Sequence, residues 1–464
     1  MQSHNHRDLP PQHLLLHLTL SFLPPSLLLQ FQVFLNGLTG IIQNDIRFFG
    51  IRAIANIVHA LAKLGERNSS IFSAVESNAS WIVENGNAQS IASVAWACAK
   101  LNVQSPTLFR AIDDNAVKLV KTGKPREIAI TAWACAKLDV QSPSLFRSIE
   151  ENAARLVENG TPQAIANAVW SFGKLGIHAP SFFQSIDERS SWLVENGNAQ
   201  EIANTALAFA EVGIRPEQLF RCLLEGGRLK QFLRGADPQS VCNLAWSVAV
   251  LGLESDRYAP LFQALWSAAL RDHAEAINAD DLFQLAQVHV HARASGVALS
   301  PALPPPLKAR MIEACNSLTT TSSKFEAEYS QLLSEIGFEH ERGVSPFVID
   351  KSSGGDFGEF LAIDMACRKR KVAVEYDGKH HFLTELKPGA KENFGKENGT
   401  TVAKRRLLEQ LGWKVVSVPF QDNIMLNSKK YMEKNKKRIK NGGGKKELKQ
   451  LYLKEKLAKV GVVM

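Results

Sequence analysis

The sequence predicts a multidomain α plus α/β chain: an N-terminal α-solenoid of helical-hairpin repeats with a period of 37, followed by a small α/β domain. Three observations predict it. The heptapeptide AWACAKL around Trp96 recurs around Trp133 and, as VWSFGKL, around Trp170, each time 37 residues further on. Self-similarity at a step of roughly 20–50 residues marks a stack of supersecondary units. A proline-rich break, ALSPALPPPLKAR from Ala298 to Arg310, ends the pattern. Beyond it FLAIDMA, KVAVEYDG and WKVVSVPF alternate as half-buried strands do.

Composition fits two parts. A chain of 464 residues exceeds the usual single core. With 45% hydrophobic and 22% charged residues it is neither a disordered chain nor a membrane bundle. The six cysteines form no CxxC pair, which argues against structural zinc and for reduced thiols. The formal charge is +8, but from Arg67 to Leu253 there are 17 Lys/Arg and 17 Asp/Glu, so the excess lies toward the C-terminus.

Residues 1–45 carry LLLHLTLSFLPPSLLLQFQVF, which Pro24 and Pro25 divide into halves too short to span a bilayer. No acid occurs between Asp8 and Asp45, as in a targeting segment, yet the arginines of a mitochondrial presequence are missing. A degenerate first repeat or a misassigned start fits equally.

The solenoid is expected over 46–295. In each unit the first helix, as in PSLFRSIEENAARLVENG, carries Phe146, Ile149, Ala153, Leu156 and Val157 on one face, and Gly160 just past it suits a left-handed cap. The second, as in QAIANAVWSFGKLG, carries Ala166, Val169, Trp170 and Gly173 at helical spacing. One hairpin cannot bury its own apolar face, so neighbours stack, and Trp96, Trp133 and Trp170 are expected as core residues between units.

Polar residues share the beat. Lys63, Lys100, Lys137 and Lys174 hold one equivalent site, a series that Glu211 and Val250 break. Stacked, they form an ammonium row able to follow a phosphate backbone; a lysine at a helix C-terminus also simply complements the macrodipole. Three residues before each tryptophan position, or its equivalent, stand Asn56, Ser93, Ile130, Asn167, Asn204 and Asn243. Short polar side chains varying at a fixed site suit a repeat-per-base RNA reader, and equally an exposed helix face. The unit resembles the octotricopeptide-type repeat, which implies single-stranded RNA as partner, with other RNA-processing proteins alongside. A protein-binding solenoid is the competing reading.

Residues 296–322 read as a linker, 323–427 as the α/β domain and 428–464 as a basic tail. The domain's matching residues are Glu328, Ile363-Asp364, Val374-Glu375-Tyr376-Asp377-Gly378, His381-Phe382, Asn398-Gly399-Thr400, Lys404 and Leu411-Gly412-Trp413 through Val418-Pro419. Together they resemble the RAP domain. The chain departs from that pattern at Gln421-Asp422-Asn423, where an aromatic is usual. The resemblance implies a restriction-endonuclease-like fold, close to very-short-patch repair endonucleases, and maturation, stabilisation or translation of transcripts in the mitochondrion or, alternatively, the chloroplast.

Such endonuclease sites place Asp on one strand and Glu-x-Lys on the next. Asp364 and Glu375 fill the first two roles and are the candidate Mg2+ ligands; Asp377 stands where lysine would and is a third candidate catalytic carboxylate, able to share the metal. His381 would act as general acid or base, since its ordinary pKa suits neutral pH, and Lys379 or Lys404 would supply the missing cation. The opposing reading is a strand-end cluster satisfied within the fold, with His381 a buried partner. Binding RNA by a basic rim, Arg368, Lys369, Arg370 and Lys371 with Lys404, Arg405 and Arg406, is the expectation favoured over cleavage.

Overall fold

The computed structural model describes residues 45–272, 274–317, 323–346, 361–386, 394–435 and 444–464, with Val33, Gly37 and Gly40. The expected targeting segment or degenerate repeat at 1–45 lies outside the described residues but for four positions. Two compact units emerge: residues up to Leu175 with Ala179–Arg189, and Gly176–His178 with Ser190–Met464.

The first unit holds second helices at Gly50–Leu64, Ala88–Lys100, Pro125–Lys137 and Pro162–Lys174. Asn87 and Thr161 cap theirs by accepting the amides of Ser90 and Ala164. The first helices differ from expectation. Each is broken in two, as at Pro106–Asp114 and Ala116–Thr122 or Pro143–Glu151 and Ala153–Glu158. The break falls at Asn78, Asn115 and Asn152, whose side-chain amides donate to the carbonyl four residues back and so compete with the backbone ladder.

The 37-residue beat carries two further devices. Gly86 and Gly123 are extended, not left-handed, and Gly160 is not among the positive-φ glycines either. These glycines serve close packing: a Cβ on Gly123 would stand 2.7 Å from Ile128 Cδ1 and 2.8 Å from the Leu119 carbonyl. The left-handed position lies instead just past the second helix, at Gly65, Asn102 and Asp139, residue types that tolerate it. Units are tied by an acid at the end of the first helix segment. Asp113 accepts Ser142 Oγ at 2.8 Å and the amides of Ser144 and Leu145, and Glu76 does the same for Ser105 and Thr107. Each acid thus caps the next unit's opening helix.

The tryptophans are half-buried rather than interior. Trp96 stacks on His59, its equivalent one unit earlier, with ring centroids 4.5 Å apart. It does bridge units, but from the polar face of the second helices.

In the second unit the second helices are Ala199–Val212, Pro238–Val250 and Ala279–Ala294. Their caps, Asn198, Asp237 and Asn278, show the step widening to 39 and then 41, which is why Trp246 falls two residues late. The supposed linker is largely structured. Pro305–Asn316 is a helix whose Leu307, Met311, Ala314 and Cys315 complete the helical core, because apolar residues at helical spacing follow the prolines that start it.

The α/β domain begins with helix Lys324–Glu335. Its sheet is ordered β2-β3-β4-β7, formed by Glu341–Val344, Ile363–Cys367, Val372–Asp377 and Lys414–Pro419. The β4/β7 pair is parallel, joined through helix Gly399–Gln410. A second sheet pairs β1 (Ile177–His178), β5 (Phe382–Glu385) and β6 (Phe394–Glu397). The tail is not a solvated one. Helix Gly444–Lys459 buries Leu453 and Leu457 against Tyr329, Val374 and Val418, and Lys449, 4% exposed, bonds Glu328 at 2.6 Å. The corner at Gln421-Asp422-Asn423 lies beneath it: Asp422 accepts the Tyr452 hydroxyl at 2.5 Å and Asn423 that of Tyr329 at 3.2 Å.

Gly123→Ala is expected to cost about 1–3 kcal/mol by overpacking, whereas Asp139→Gly, at φ 55°, stays within about 1 kcal/mol of wild type. Urea midpoints of the two variants check the pair; equal losses would contradict the packing account.

Candidate functional site

On the second helices the cap-plus-six, plus-nine and plus-thirteen positions fall within a narrow arc at 3.6 residues per turn. That arc holds Ser93, Trp96 and Lys100, then Ile130, Trp133 and Lys137, then Asn167, Trp170 and Lys174; Asn56, His59 and Lys63 stand at the same spacings on the preceding second helix. Lys63, Lys137, Lys174 and Asn56 are exposed, and Lys100, Ser93 and Asn167 half-buried. Burial and the nearby cations Lys63 and Arg126 hold His59 below its ordinary pKa. In the second unit Asn204 is half-buried, and Asn243, 4% exposed, donates to Asn204 at 3.4 Å. Asn243 is therefore an interhelical tie instead of an open reader.

The carboxylates gather at one end of the sheet. In the β3/β4 register Met365 faces Val374, which sets Asp364 opposite Glu375. Glu375 and Asp377, two apart on one strand, share a side of the sheet. Lys404, on helix Gly399–Gln410, reaches back to Glu375: its Nζ lies 2.5 Å from Glu375 Oε2 and donates to the Ala362 carbonyl at 3.0 Å. Asp364 accepts the Tyr376 amide at 2.8 Å. Asp377 accepts Ser417 Oγ and stands 3.9 Å from Arg405. The lysine that the strand lacks is thus supplied by a helix 27 residues on, which local spacing could not have revealed.

One ammonium does not offset three carboxylates. Burial, with Asp364 adding and Lys404 opposing, pushes Glu375 up to about 8. Burial pushes Asp364 up to about 6 and also raises Asp377. Burial works against the charge on Lys404, but Glu375 and Asp364 outweigh it and hold its pKa above the ordinary value. Near neutrality the cluster therefore keeps a proton.

One expectation is corrected here. His381 shares a hydrogen bond of 2.9 Å with Thr401 Oγ1, and burial, with His380 and Lys404, pushes its pKa down to about 3. It stays neutral and does not titrate near pH 7. The candidate Mg2+ ligands Asp364 and Glu375 stand opposite each other on β3 and β4, with the Lys404 ammonium on Glu375.

The basic rim also divides. Arg368, Lys369, Arg370 and Lys371 form the β3/β4 hairpin, at the opposite end of the strands from the carboxylates, about 13–20 Å away at 3.3 Å per residue. Arg368 pairs with Glu341 at 3.3 Å and Lys369 with Glu339 at 3.5 Å; Arg370 is exposed, as is Lys379 beside His380. Lys404, Arg405 and Arg406 are not a free rim. Arg405 binds Glu397 through both nitrogens, at 2.5 and 2.8 Å, and Arg406 donates to the carbonyls of Ala249 and Val250 at 2.7 and 3.1 Å.

Two cavities flank the Glu375–Lys404 pair. One of about 420 Å³ opens toward Phe325, Tyr376 and His380. The other, of about 500 Å³, opens toward the polar face of helices Pro238–Val250 and Ala279–Ala294.

Comparison with known proteins bears on both parts. Residues 38–285, more than half of the chain, match the RNA-editing substrate-binding complex 6 protein family. The chain belongs to that family. Residues 374–437 match the RAP domain, so the module that carries the carboxylate cluster is a RAP domain. A RAP domain-containing protein, chloroplastic, of Oryza sativa subsp. japonica is 28% identical over 193 residues, which are 39% of this chain and 26% of that protein. The chain thus spans about a quarter of that relative's length. Among the described residues no helix is long and apolar enough to cross a membrane.

Because Glu375 titrates at about 8 in the folded protein against 4.5 ordinarily, the folded state holds more protons than the unfolded chain between those values. Stability therefore falls as pH rises across that window. From pH 5 to 8.5 the wild type should lose on the order of 1–3 kcal/mol, and Glu375→Gln should remove most of that slope. Urea denaturation at stepped pH measures it; parallel slopes would contradict the assignment.

Proposed function

We propose that this protein binds single-stranded RNA in an organelle, mitochondrion or plastid, and acts there in transcript processing, stability or translation. The observation that carries the reading is the row Lys63, Lys100, Lys137 and Lys174, set on one face with the polar positions Asn56, Ser93 and Asn167. Packed helices lie about 8–10 Å apart, a step at which an extended strand can present one nucleotide to each unit. Lysines at that step neutralise phosphates while the short polar side chains meet base edges.

The family's description as RNA-editing substrate-binding, the RAP domain and a relative named chloroplastic all support this reading. The exposed Arg370 and Lys379 add backbone affinity from the RAP domain. Metal-dependent cleavage through a restriction-endonuclease-like site has less behind it, because Asp364, Glu375 and Asp377 are engaged by Tyr376, Lys404 and Ser417.

Each lost phosphate contact lowers the log–log salt slope of single-strand binding by about 0.7. Lys100→Gln with Lys137→Gln should therefore reduce the slope by roughly 1.4 when anisotropy is followed across about 50–200 mM salt. An unchanged slope, or RNA affinity that survives removal of the repeats, would leave a protein-binding scaffold as the better description.

A further inference from the structure

The same three positions recur on every second helix, and the two units treat them differently. In the first unit all of them are exposed or half-buried, and the last is a lysine on each helix. In the second unit the lysine position holds Glu211, Val250 and then His291. Burial and Arg406 push His291 down to about 3, so none of the three is a cation near pH 7. On helix Pro238–Val250 the whole set, Asn243, Trp246 and Val250, is at most 4% exposed. The polar members bond one another: Asn243 donates to Asn204 at 3.4 Å and Trp246 Nε1 to Gln287 at 2.9 Å, each joining equivalent positions of neighbouring helices.

What lies on this face is the RAP domain. Helix Gly399–Gln410 crosses the C-terminal ends of the three second helices in succession. Gly399 packs on the Ala210 carbonyl with no room for a Cβ. Arg406 donates to the carbonyls of Ala249 and Val250 at 2.7 and 3.1 Å, and Gln410 to Ser295 Oγ, just past helix Ala279–Ala294, at 3.2 Å. From Gly399 to Gln410 a helix rises about 16 Å at 1.5 Å per residue, which matches two steps of the roughly 8–10 Å between packed helices. Glu211, Trp246 and Gln287 front the same space as Thr400, Lys404 and Arg405. The equivalent helix ends in the first unit carry Lys63, Lys100, Lys137 and Lys174. On the last three repeats the RAP helix therefore holds the place that a phosphate backbone would take along those lysines.

We propose that the RAP domain withdraws the last three repeats from RNA, and that base reading is confined to the four nucleotides that meet Asn56, Ser93, Ile130 and Asn167. The inference rests on the RNA-binding reading above. The number of repeats thus exceeds the length of the site they read.

Selection of the full-length protein against a randomised single-stranded RNA pool counts the readers, because backbone contacts from Arg370 and Lys379 carry no base identity. The expected result is a base preference over no more than four adjacent nucleotides, one for each second helix of the first unit, and about tenfold where one well-made hydrogen bond reads the base. Asn167→Ala should erase the preference at one of them. Asn204→Ala, the same residue type at the equivalent position of the second unit, should erase none. A preference that extends beyond four nucleotides overturns the inference alone, as does a position lost in Asn204→Ala. RNA bound with no base preference overturns base reading by the first four repeats, and the inference with it. A wild type that binds no RNA overturns the RNA reading itself. Should Asn204→Ala melt below wild type, the width of the wild-type preference decides alone.

Discussion

Everything in the second unit hangs on how one helix, Gly399–Gln410, docks against the ends of two others. Arg406 runs its guanidinium onto the last carbonyls of helix Pro238–Val250, where the helix dipole is negative. Gly252 lies so near that a Cβ there would stand 2.8 Å from the same guanidinium. Gly399 meets the end of helix Ala199–Val212 so closely that any side chain would collide with the Ala210 carbonyl. The Asn-Gly-Thr stretch of the RAP domain thus has a packing reason: Asn398 caps the helix and Gly399 lets it approach. The same helix carries Lys404 to Glu375. Docking and charge compensation are therefore one event, and loosening either loosens the other.

The carboxylate cluster shows how a fold can keep acids in a position that is costly. Asp364, Glu375 and Asp377 are pushed upward by burial, and Lys404 offsets only part of the repulsion. Satisfied buried ion pairs seldom add net stability. Such a cluster is held in place by the surrounding structure, here by the sheet register and the docked helix, and perturbed acids gather where chemistry or recognition happens. Neutral His381, bonded to Thr401, behaves as part of the frame that holds them.

Much of this was legible in the sequence, and the reason is repetition. A 37-residue beat makes equivalent positions visible without an alignment, so the lysine row and the polar positions follow from spacing alone, whereas the division into compact units falls within the repeats, near Leu175 and Arg189. What the beat could not tell was which side of a helix its neighbours cover. Trp96, Trp133 and Trp170 read as interior because tryptophan is large and apolar, yet they sit half-buried beside the lysines. Asn115 and Asn152 break what periodicity reads as one continuous helix, because a side-chain amide competes locally with the ladder. The C-terminal helix was hidden by composition: its lysines dominate any count, while Leu448, Leu453 and Leu457 make the contacts. Lys404 was named as a candidate cation, but its place beside Glu375 depends on a crossover that no motif spacing encodes.

The acids that close each unit of the first half have a consequence for how such a protein can grow. Glu76 and Asp113 satisfy backbone amides that belong not to their own unit but to its successor, so the repeats joined there present a donor edge on one side and an acceptor on the other. A duplicated stretch inserted in frame finds both seams already compatible. The array can lengthen or shorten by whole units without inventing a new junction.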